Sequence, residues 1–438
     1  MKKLIFLIIV FCSIQKINAQ CTFVADTSNP IIGYNQFINN VFWNDPSVMK
    51  EGTTYHMWLS GGDLTLPSNA LNATLPYYSS SSDGINWNIN TTPLFTGNGA
   101  GTYDGHKVET PSVIKETGTY HMYYTSRSDP NDIFSISHAT SSNVSTGWIQ
   151  DANNPLISPT GTITDWNGAQ VGEPAITVKN GIFYLFFVAV GCKDLACSTY
   201  PSSSLIKAAM SIGLVTSAAG VNFSAPTQVL TKGVMYPDNL NFEGYSTPYV
   251  YLENSVFHLY YDVYQYISSE DEHRQVALHH AVSSDGYSWT EDSAPIFKRT
   301  DFAWTAMEVR APSVINDNGI WKMWFAGNAE LPIDSTLAGI GYAECNSTTN
   351  IIDELNNQPS ISAYPNPFNY SVTICLDKAV NNAELNIYNV YGQKTKTIKN
   401  ISADKIKINR DNLPNGVYFI RLTQDNKIIA TDKLIITD

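Results

Sequence analysis

Short apolar stretches with alternating polar positions run along this chain, bounded by Gly, Pro, Asn, Asp and Ser, which is the pattern of half-buried strands between turns. One such pattern returns five times: "NDPSVMKEGTTYHMW" (44–58), "ETPSVIKETGTYHMYY" (109–124), "EPAITVKNGIFYLFF" (173–187), "STPYVYLENSVFHLYY" (246–261) and "RAPSVINDNGIWKMWF" (310–325). The prolines Pro46, Pro111, Pro174, Pro248 and Pro312 are spaced by 65, 63, 74 and 64 residues, and an aromatic follows each after nine residues: Tyr55, Tyr120, Phe183, Phe257 and Trp321. A constant gap with "KEG", "NG" or "EN" in its middle predicts two short strands joined by a tight hairpin.

Two more strands are expected in each repeat. The third includes "LPYYSSSSDGINW" and "VALHHAVSSDGYSW", where a Ser-x-Asp-Gly turn is followed by Trp. The fourth carries "TPLF" (92–95), "NPLI" (154–157), "APTQVL" (225–230) or "APIF" (294–297). A fifth copy, "NPII" (29–32), stands near the start of the chain, whereas the last repeat ends at "AGIGYAEC" without one. The reading is an all-β, five-bladed β-propeller with N-terminal strand closure, which leaves no long free edges. A small C-terminal β-sandwich follows, because "AYPNPFN", "LNIYNVYGQ" and "LPNGVYFIRL" alternate between turn signals.

The ends of the chain set its compartment. Met1-Lys2-Lys3, the apolar "LIFLIIVFCSI" and "KINAQ" read as a signal peptide over 1–19. The expected organisation is then a propeller over 20–346, a polar linker over 347–360 and a second domain over 361–438. Export makes disulfides reasonable, pairing Cys21 with Cys345 across the closure and Cys192 with Cys197 within one loop, against the alternative of unpaired thiols. Cys375 has no partner in its own domain.

Charge excludes one class of partner. Without the signal lysines and residues 351–438, the body has 13 basic against 30 acidic residues, so nucleic acid and anionic membranes are unfavourable partners. No transmembrane segment is expected, and a monomer is. No cofactor is implied; a structural calcium or sodium ion in the channel is compatible with the acidic centre.

In a propeller the starts of the inner strands and the variable strand 2–3 loops share one face, and a site belongs there. Immediately before the prolines stand Asp45, Thr110, Glu173, Thr247 and Ala311; one residue earlier come Asn44, Glu109, Gly172, Ser246 and Arg310. Glu243 and Glu308 lie slightly further out. Carboxylates converging on a small opening raise one another's pKa, as general acid–base chemistry requires. Catalytic candidates are therefore Asp45, Glu173, Glu243 and Glu109. Arg310 orients substrate or neutralises the acids, and His106 and Glu308 contact substrate from the same face. Trp43, Trp166 and Trp304 either stack on a sugar ring or pack between blades. His56, His121 and His258 share one repeat position and read as structural.

These motifs resemble two known families. "YPNPF", "Y-x-x-x-G-Q" and "NGVYFIRL" in the last 78 residues resemble the C-terminal sorting domain of type IX secretion, which implies outer-membrane export with surface attachment or release. The body resembles the five-bladed propeller glycosidases of glycoside hydrolase families 43 and 32. That resemblance implies that Asp45 in "WNDPSV" is the base or nucleophile. It sets Glu173 where family 43 has an acid-orienting aspartate, and Glu243-Gly244 nearest the family's general acid, although three residues separate the pair from Pro248. Glu109 is the rival acid. The expected function is a secreted glycosidase acting on an environmental polysaccharide or oligosaccharide, the alternative a non-catalytic glycan-binding propeller at the cell surface.

Overall fold

Each of the five expected hairpins closes through a two-residue turn whose first residue has positive φ: Gly52 (59°), Thr117 (47°), Asn180 (54°), Asn254 (49°) and Asn318 (55°). Such turns match the right-handed twist of the strands they join, which is why Gly and Asn recur there.

The computed structural model describes residues 22–192, 208–231, 242–267, 269–270, 272–329, 338–346, 361–376, 379–389, 393–424 and 427–438. The expected signal peptide and linker, with Cys21 and Cys197, lie outside these residues, as do the side chains of Cys192 and Glu243.

The chain divides into two compact units, Met1–Asn346 and Ser347–Asp438. The first unit is all-β and propeller-like. It opens with β1 (Val24–Ala25) and β2 (Ile32–Gly33). The first repeat is β3 (Val41–Glu51), β4 (Thr54–Asp63), β5 (Thr74–Ser81) and β6 (Asn88–Ile89). The second is β7 (Lys107–Glu116), β8 (Thr119–Arg127), β9 (Phe134–Ser141) and β10 (Ile149–Gln150). The third is β11 (Gln170–Lys179), β12 (Ile182–Cys192), β13 (Ala208–Ser217) and β14 (Thr227–Leu230). The fourth is β15 (Phe242–Glu253), β16 (Val256–Ile267), β17 (Glu272–Ser283), β18 (Thr290–Glu291) and β19 (Phe297–Lys298). The fifth is β20 (Glu308–Asp317), β21 (Ile320–Asn328) and β22 (Gly339–Asn346). Within each repeat consecutive strands pair antiparallel, except that β18 and β19 both pair with β17. Both β1 and β2 pair with β22, in the registers Val24↔Glu344 and Ile32↔Ile340.

The fourth strand is less regular than its pattern suggests. In the first repeat the ladder is only Asn88–Ile89, and "TPLF" runs beside β5 through Leu94 N–H donating to the Pro76 carbonyl at 2.8 Å. The prolines that mark this motif carry no N–H, so they fit a broken outer edge rather than a continuous strand.

Aromatic side chains fill the space between repeats. Trp58, Tyr120, Met122, Tyr124 and Trp148 form one cluster across the first and second, and Trp304, Trp321, Phe325 and Phe297 another. The two Ser-x-Asp-Gly turns are packing devices. Ser81 and Asp83 hold the backbone of 83–86, and Trp87 and Trp324 both donate their indole N–H to the Gly84 carbonyl, at 3.0 and 2.7 Å. The three repeat-position histidines are structural as well. His56 Nδ1 meets the Tyr78 hydroxyl at 2.7 Å, and His121 and His258 stack on His138 and His280 with ring nitrogens 3.1 Å apart. Burial pushes His138 and His258 down to about 4, so they are neutral near pH 7.

The second unit pairs β23 (Ile361–Tyr364), β24 (Ser371–Leu376) and β27 (Lys405–Asn409) in one sheet. Its other sheet orders β26 (Lys394–Ile401), β25 (Ala383–Asn389), β28 (Gly416–Gln424) and β29 (Lys427–Ile436). Val372, Ile374, Leu385, Ile387, Ile420 and Leu422 form the core between them. Cys375 is a free, half-buried thiol.

Candidate active site

The five residue–proline pairs share one backbone device. Register shifts fall between Asn44 and Ser47, Glu109 and Ser112, Gly172 and Ala175, Ser246 and Tyr249, and Arg310 and Ser313. In each, two residues oppose one, which is a β-bulge, and the proline occupies a place where no ladder N–H is needed. The residue before the proline is left-handed in all five: Asp45 (φ 53°), Thr110 (52°), Glu173 (51°), Thr247 (39°) and Ala311 (50°). None is glycine, so each costs roughly 1–2 kcal/mol relative to an ordinary strand residue. The bulge turns these side chains toward one another. Together the five pairs, with Ser112 and Tyr249, line one cavity that opens to solvent.

The bulges are tied to their neighbours by a second repeating position, fourteen residues after each proline: Ser60, Thr125, Val188, Asp262 and Ala326. Thr110 N–H donates to Ser60 Oγ at 2.9 Å, and Glu173 N–H donates to Thr125 Oγ1 at 2.7 Å. Ala311 N–H donates to Thr247 Oγ1 at 3.0 Å and reaches Asp262 Oδ2 at 3.4 Å. Valine at 188 offers no acceptor, and Thr247 N–H instead donates to Glu173 Oε2 at 2.8 Å.

Two carboxyl groups on the cavity wall are driven to different pKa values. Burial raises Asp45 to about 6, against the opposing attraction of Arg310, while Glu109 adds a further upward push. Burial raises Glu173 to about 8, reinforced by the negative charges of Asp262, Asp45 and Glu109. Between those values one is ionised and the other holds its proton. Burial works against the Arg310 charge, yet Glu308, Asp45, Asp262 and Glu173 outweigh it and raise its pKa. Arg310 Nη1 contacts Glu308 Oε2 at 2.7 Å, and its Nε donates to Asn44 Oδ1 at 3.3 Å. Arg310 is thus held beside the acids and neutralises part of their charge.

The other expected residues have distinct places. Glu109 lies at the mouth of its bulge, 3.4 Å from Arg127 Nη1, and Arg127 is also paired with Asp132. His106 is buried, with Nε2 2.9 Å from Asp129 and Nδ1 3.3 Å from Asp132, so it braces the loop around the second repeat instead of facing a ligand. Trp43 and Trp304 take the packing alternative. They are 2% and 6% exposed, with Trp43 edge-on to Tyr77 and Trp304 against Phe325, and they present no face to a sugar. Trp166, half-buried, packs on Phe187. Glu308 is nearly buried and serves as the Arg310 partner. The backbone of Glu243 belongs to β15, with a register shift between Phe242 and Gly244. Among the described residues no group of three or more His, Cys, Asp and Glu is placed to hold a metal ion.

Asp262 is the site residue that motif reading missed. It sits in "FHLYYDVYQ", within a run that reads as strand core, and is fully buried. The usable signal was its place fourteen residues after Pro248, aligned with Ser60 and Thr125.

This fold is that of glycoside hydrolases of the family 43 and family 130 type. A thermostable family-43 glycoside hydrolase superposes with a TM-score of 0.50 at 14% identity, covering 69% of this chain and 88% of its own. A glycoside hydrolase of Parabacteroides distasonis gives 0.53 at 14% identity, covering 75% of this chain and 98% of its own. A structure described as belonging to the family 130 mannoside phosphorylases, which contains hydrolases targeting β-1,2-mannosidic linkages in Candida mannan, gives 0.53 at 14%, covering 75% and 95%. At this identity the likeness establishes the fold. Residues 362–437 match the secretion system C-terminal sorting domain, and the chain is secreted or attached to the cell surface by type IX secretion. No helix among the described residues is long and apolar enough to cross a membrane. No curated protein matches the sequence.

Proposed function

We propose that this protein is an exported glycoside hydrolase that cleaves glycosidic bonds of a polysaccharide or oligosaccharide by paired-carboxylate catalysis at the bulge ring. The observation that carries this reading is the pair Asp45 and Glu173, on one cavity wall, with pKa values of about 6 and about 8. Glycoside hydrolysis needs one protonated carboxyl to assist the leaving oxygen and one ionised carboxylate acting at the anomeric carbon. Near pH 7 Glu173 has the first state and Asp45 the second. Environments that separate two carboxyl pKa values assign such roles. Arg310 favours the ionised form of Asp45, and the fold shared with glycoside hydrolases supports carbohydrate as the substrate class.

The scaffold of this reading is a five-bladed β-propeller, its last blade completed by β1 and β2. A Cys21–Cys345 disulfide beyond that seam is part of it: Cys345 is not a free thiol, and the register Val24↔Glu344 brings the segment after Cys21 alongside it. The mature chain, after loss of a signal peptide, engages the type IX machinery through its tail.

The test is a digestion screen of polysaccharides and oligosaccharides with the purified protein and with Asp45→Asn and Glu173→Gln. Saccharide release that both substitutions abolish supports the assignment; release that neither changes overturns it. Retained glycan binding without cleavage of any substrate would replace the hydrolase with a glycan-binding propeller.

A further inference from the structure

Position fourteen after the proline needs only a hydrogen-bond acceptor for the neighbouring bulge, and Ser60 and Thr125 supply one with a hydroxyl. In the fourth repeat the same place holds a carboxylate, Asp262, with no exposed surface. A buried carboxylate is a costly way to satisfy one N–H. Its contacts say more. Ser246 Oγ and Thr247 Oγ1 hydrogen-bond to Asp262 Oδ1 and Oδ2, and Ala311 N–H points at Oδ2. The N–H is a donor by nature. Thr247 Oγ1 already accepts from Ala311 N–H, so its own proton is free to go to Asp262. Burial raises the Asp262 carboxyl to about 6, and these three donors oppose that rise, so near pH 7 it is ionised. No salt bridge joins Asp262 to a cation among the described residues, and the Arg310 guanidinium acts on it from beyond contact distance.

Thr247 joins this charge to the cavity. Its side chain bonds Asp262, and its main-chain N–H donates to Glu173 Oε2 at 2.8 Å. Because the third repeat has Val188 at the tying position, Glu173 is the acceptor that Thr247 uses. One residue therefore holds two carboxyl groups, one behind the cavity and one on its wall.

We propose that Asp262 is a positioning residue for Glu173: acting through Thr247, it fixes where the Glu173 carboxyl sits. The negative charge of Asp262 favours the protonated Glu173, whereas the Thr247 N–H bond by itself favours the ionised form. The other charged groups facing Glu173 are Asp45 and Glu109 from the first and second repeats and Arg310 from the fifth. Asp45 lines the same cavity and titrates lower, near 6, and Glu109 is paired with Arg127. Asp262 is the one held through a shared bridge. The catalytic consequence rests on the reading of Glu173 as the acid; the coupling itself does not.

The experiment is a carboxyl-carbon NMR titration of Glu173 in the full chain and in Asp262→Asn and Asp262→Thr, the latter copying Thr125. Both substitutions remove the charge, and the second keeps an acceptor for Ala311. The expected result is a Glu173 midpoint lowered by about one pH unit or more in both. A midpoint that stays in place while the variants merely lose thermal stability would overturn the proposal, leaving Asp262 a brace. If neither variant folds, the unsubstituted chain decides: the Asp262 signal must show a second inflection at the Glu173 midpoint, and a single inflection refutes the coupling. The pH profile of kcat/KM separates the two readings. A basic limb that moves down with the Glu173 midpoint supports both. A moved midpoint with an unmoved limb upholds the coupling and removes Glu173 from the role of acid.

Discussion

Thr247 donates its main-chain N–H to the Glu173 carboxylate at 2.8 Å across the boundary between the third and fourth repeats. That contact makes Glu173 both a wall of the cavity and a tie between strands. Substitutions there must separate chemistry from support. Glu173→Gln keeps a carbonyl acceptor for Thr247 and loses the proton donor. It is expected to lower kcat by about 10²–10⁴-fold with no loss of unfolding temperature relative to the parent. Parallel kinetics and thermal melts check this, and an equal loss in both would assign Glu173 to support.

The pH dependence of activity follows from the two raised carboxyls. Asp45 must be ionised, so kcat/KM rises through about pH 6; Glu173 must be protonated, so it falls through about pH 8. A bell with its maximum near neutrality is expected, and a profile flat from pH 5 to 9 contradicts the pairing.

The same shifts act on stability with a definite sign. Glu173 has a higher pKa folded than unfolded, so between those values the folded state binds more protons and stability falls as pH rises. Glu173→Gln removes this contribution. The gain in melting temperature of the variant over the parent should be larger at pH 8.5 than at pH 5. Calorimetry at the two pH values measures it.

The tie at Thr125 can be tested alone. Thr125→Val removes the acceptor for Glu173 N–H and leaves a part-buried donor unpaired, at a cost of about 1 kcal/mol. Thr125→Ser keeps the oxygen and is expected to be much milder. Denaturant unfolding of the two variants reports the difference.

Gly84 probes the contact between the first and fifth repeats. It has φ of 83°, and a Cβ there would lie 2.9 Å from the Trp324 ring. Gly84→Ala is expected to destabilise the first unit by about 1–3 kcal/mol through backbone strain and overpacking. Chemical denaturation again supplies the number.

Removal of residues 361–438 tests the address. The truncated chain is expected to remain inside the cell envelope, with cavity and cleavage activity unchanged, because the first unit contains all of the site. Fractionation followed by an activity assay on each fraction separates the two effects.

Sequence alone determined the repeat, the hairpins and the ring of residues before the prolines, because those are local. A two-residue turn, a proline that needs no N–H and a period-two alternation are each written within a dozen neighbouring residues. It singled out Asp45 and Glu173 because they stand where their repeats otherwise carry Thr or Ala. Only the tertiary structure decided what surrounds them. That Trp43 and Trp304 pack inward depends on which strands are neighbours, as does the burial of His106 between two aspartates. The weight of Asp262 comes from Ser246 and Thr247 some fifteen residues before it and from Ala311 almost fifty after. A pKa likewise depends on every charge and every buried surface around a group, and those come from all five repeats at once.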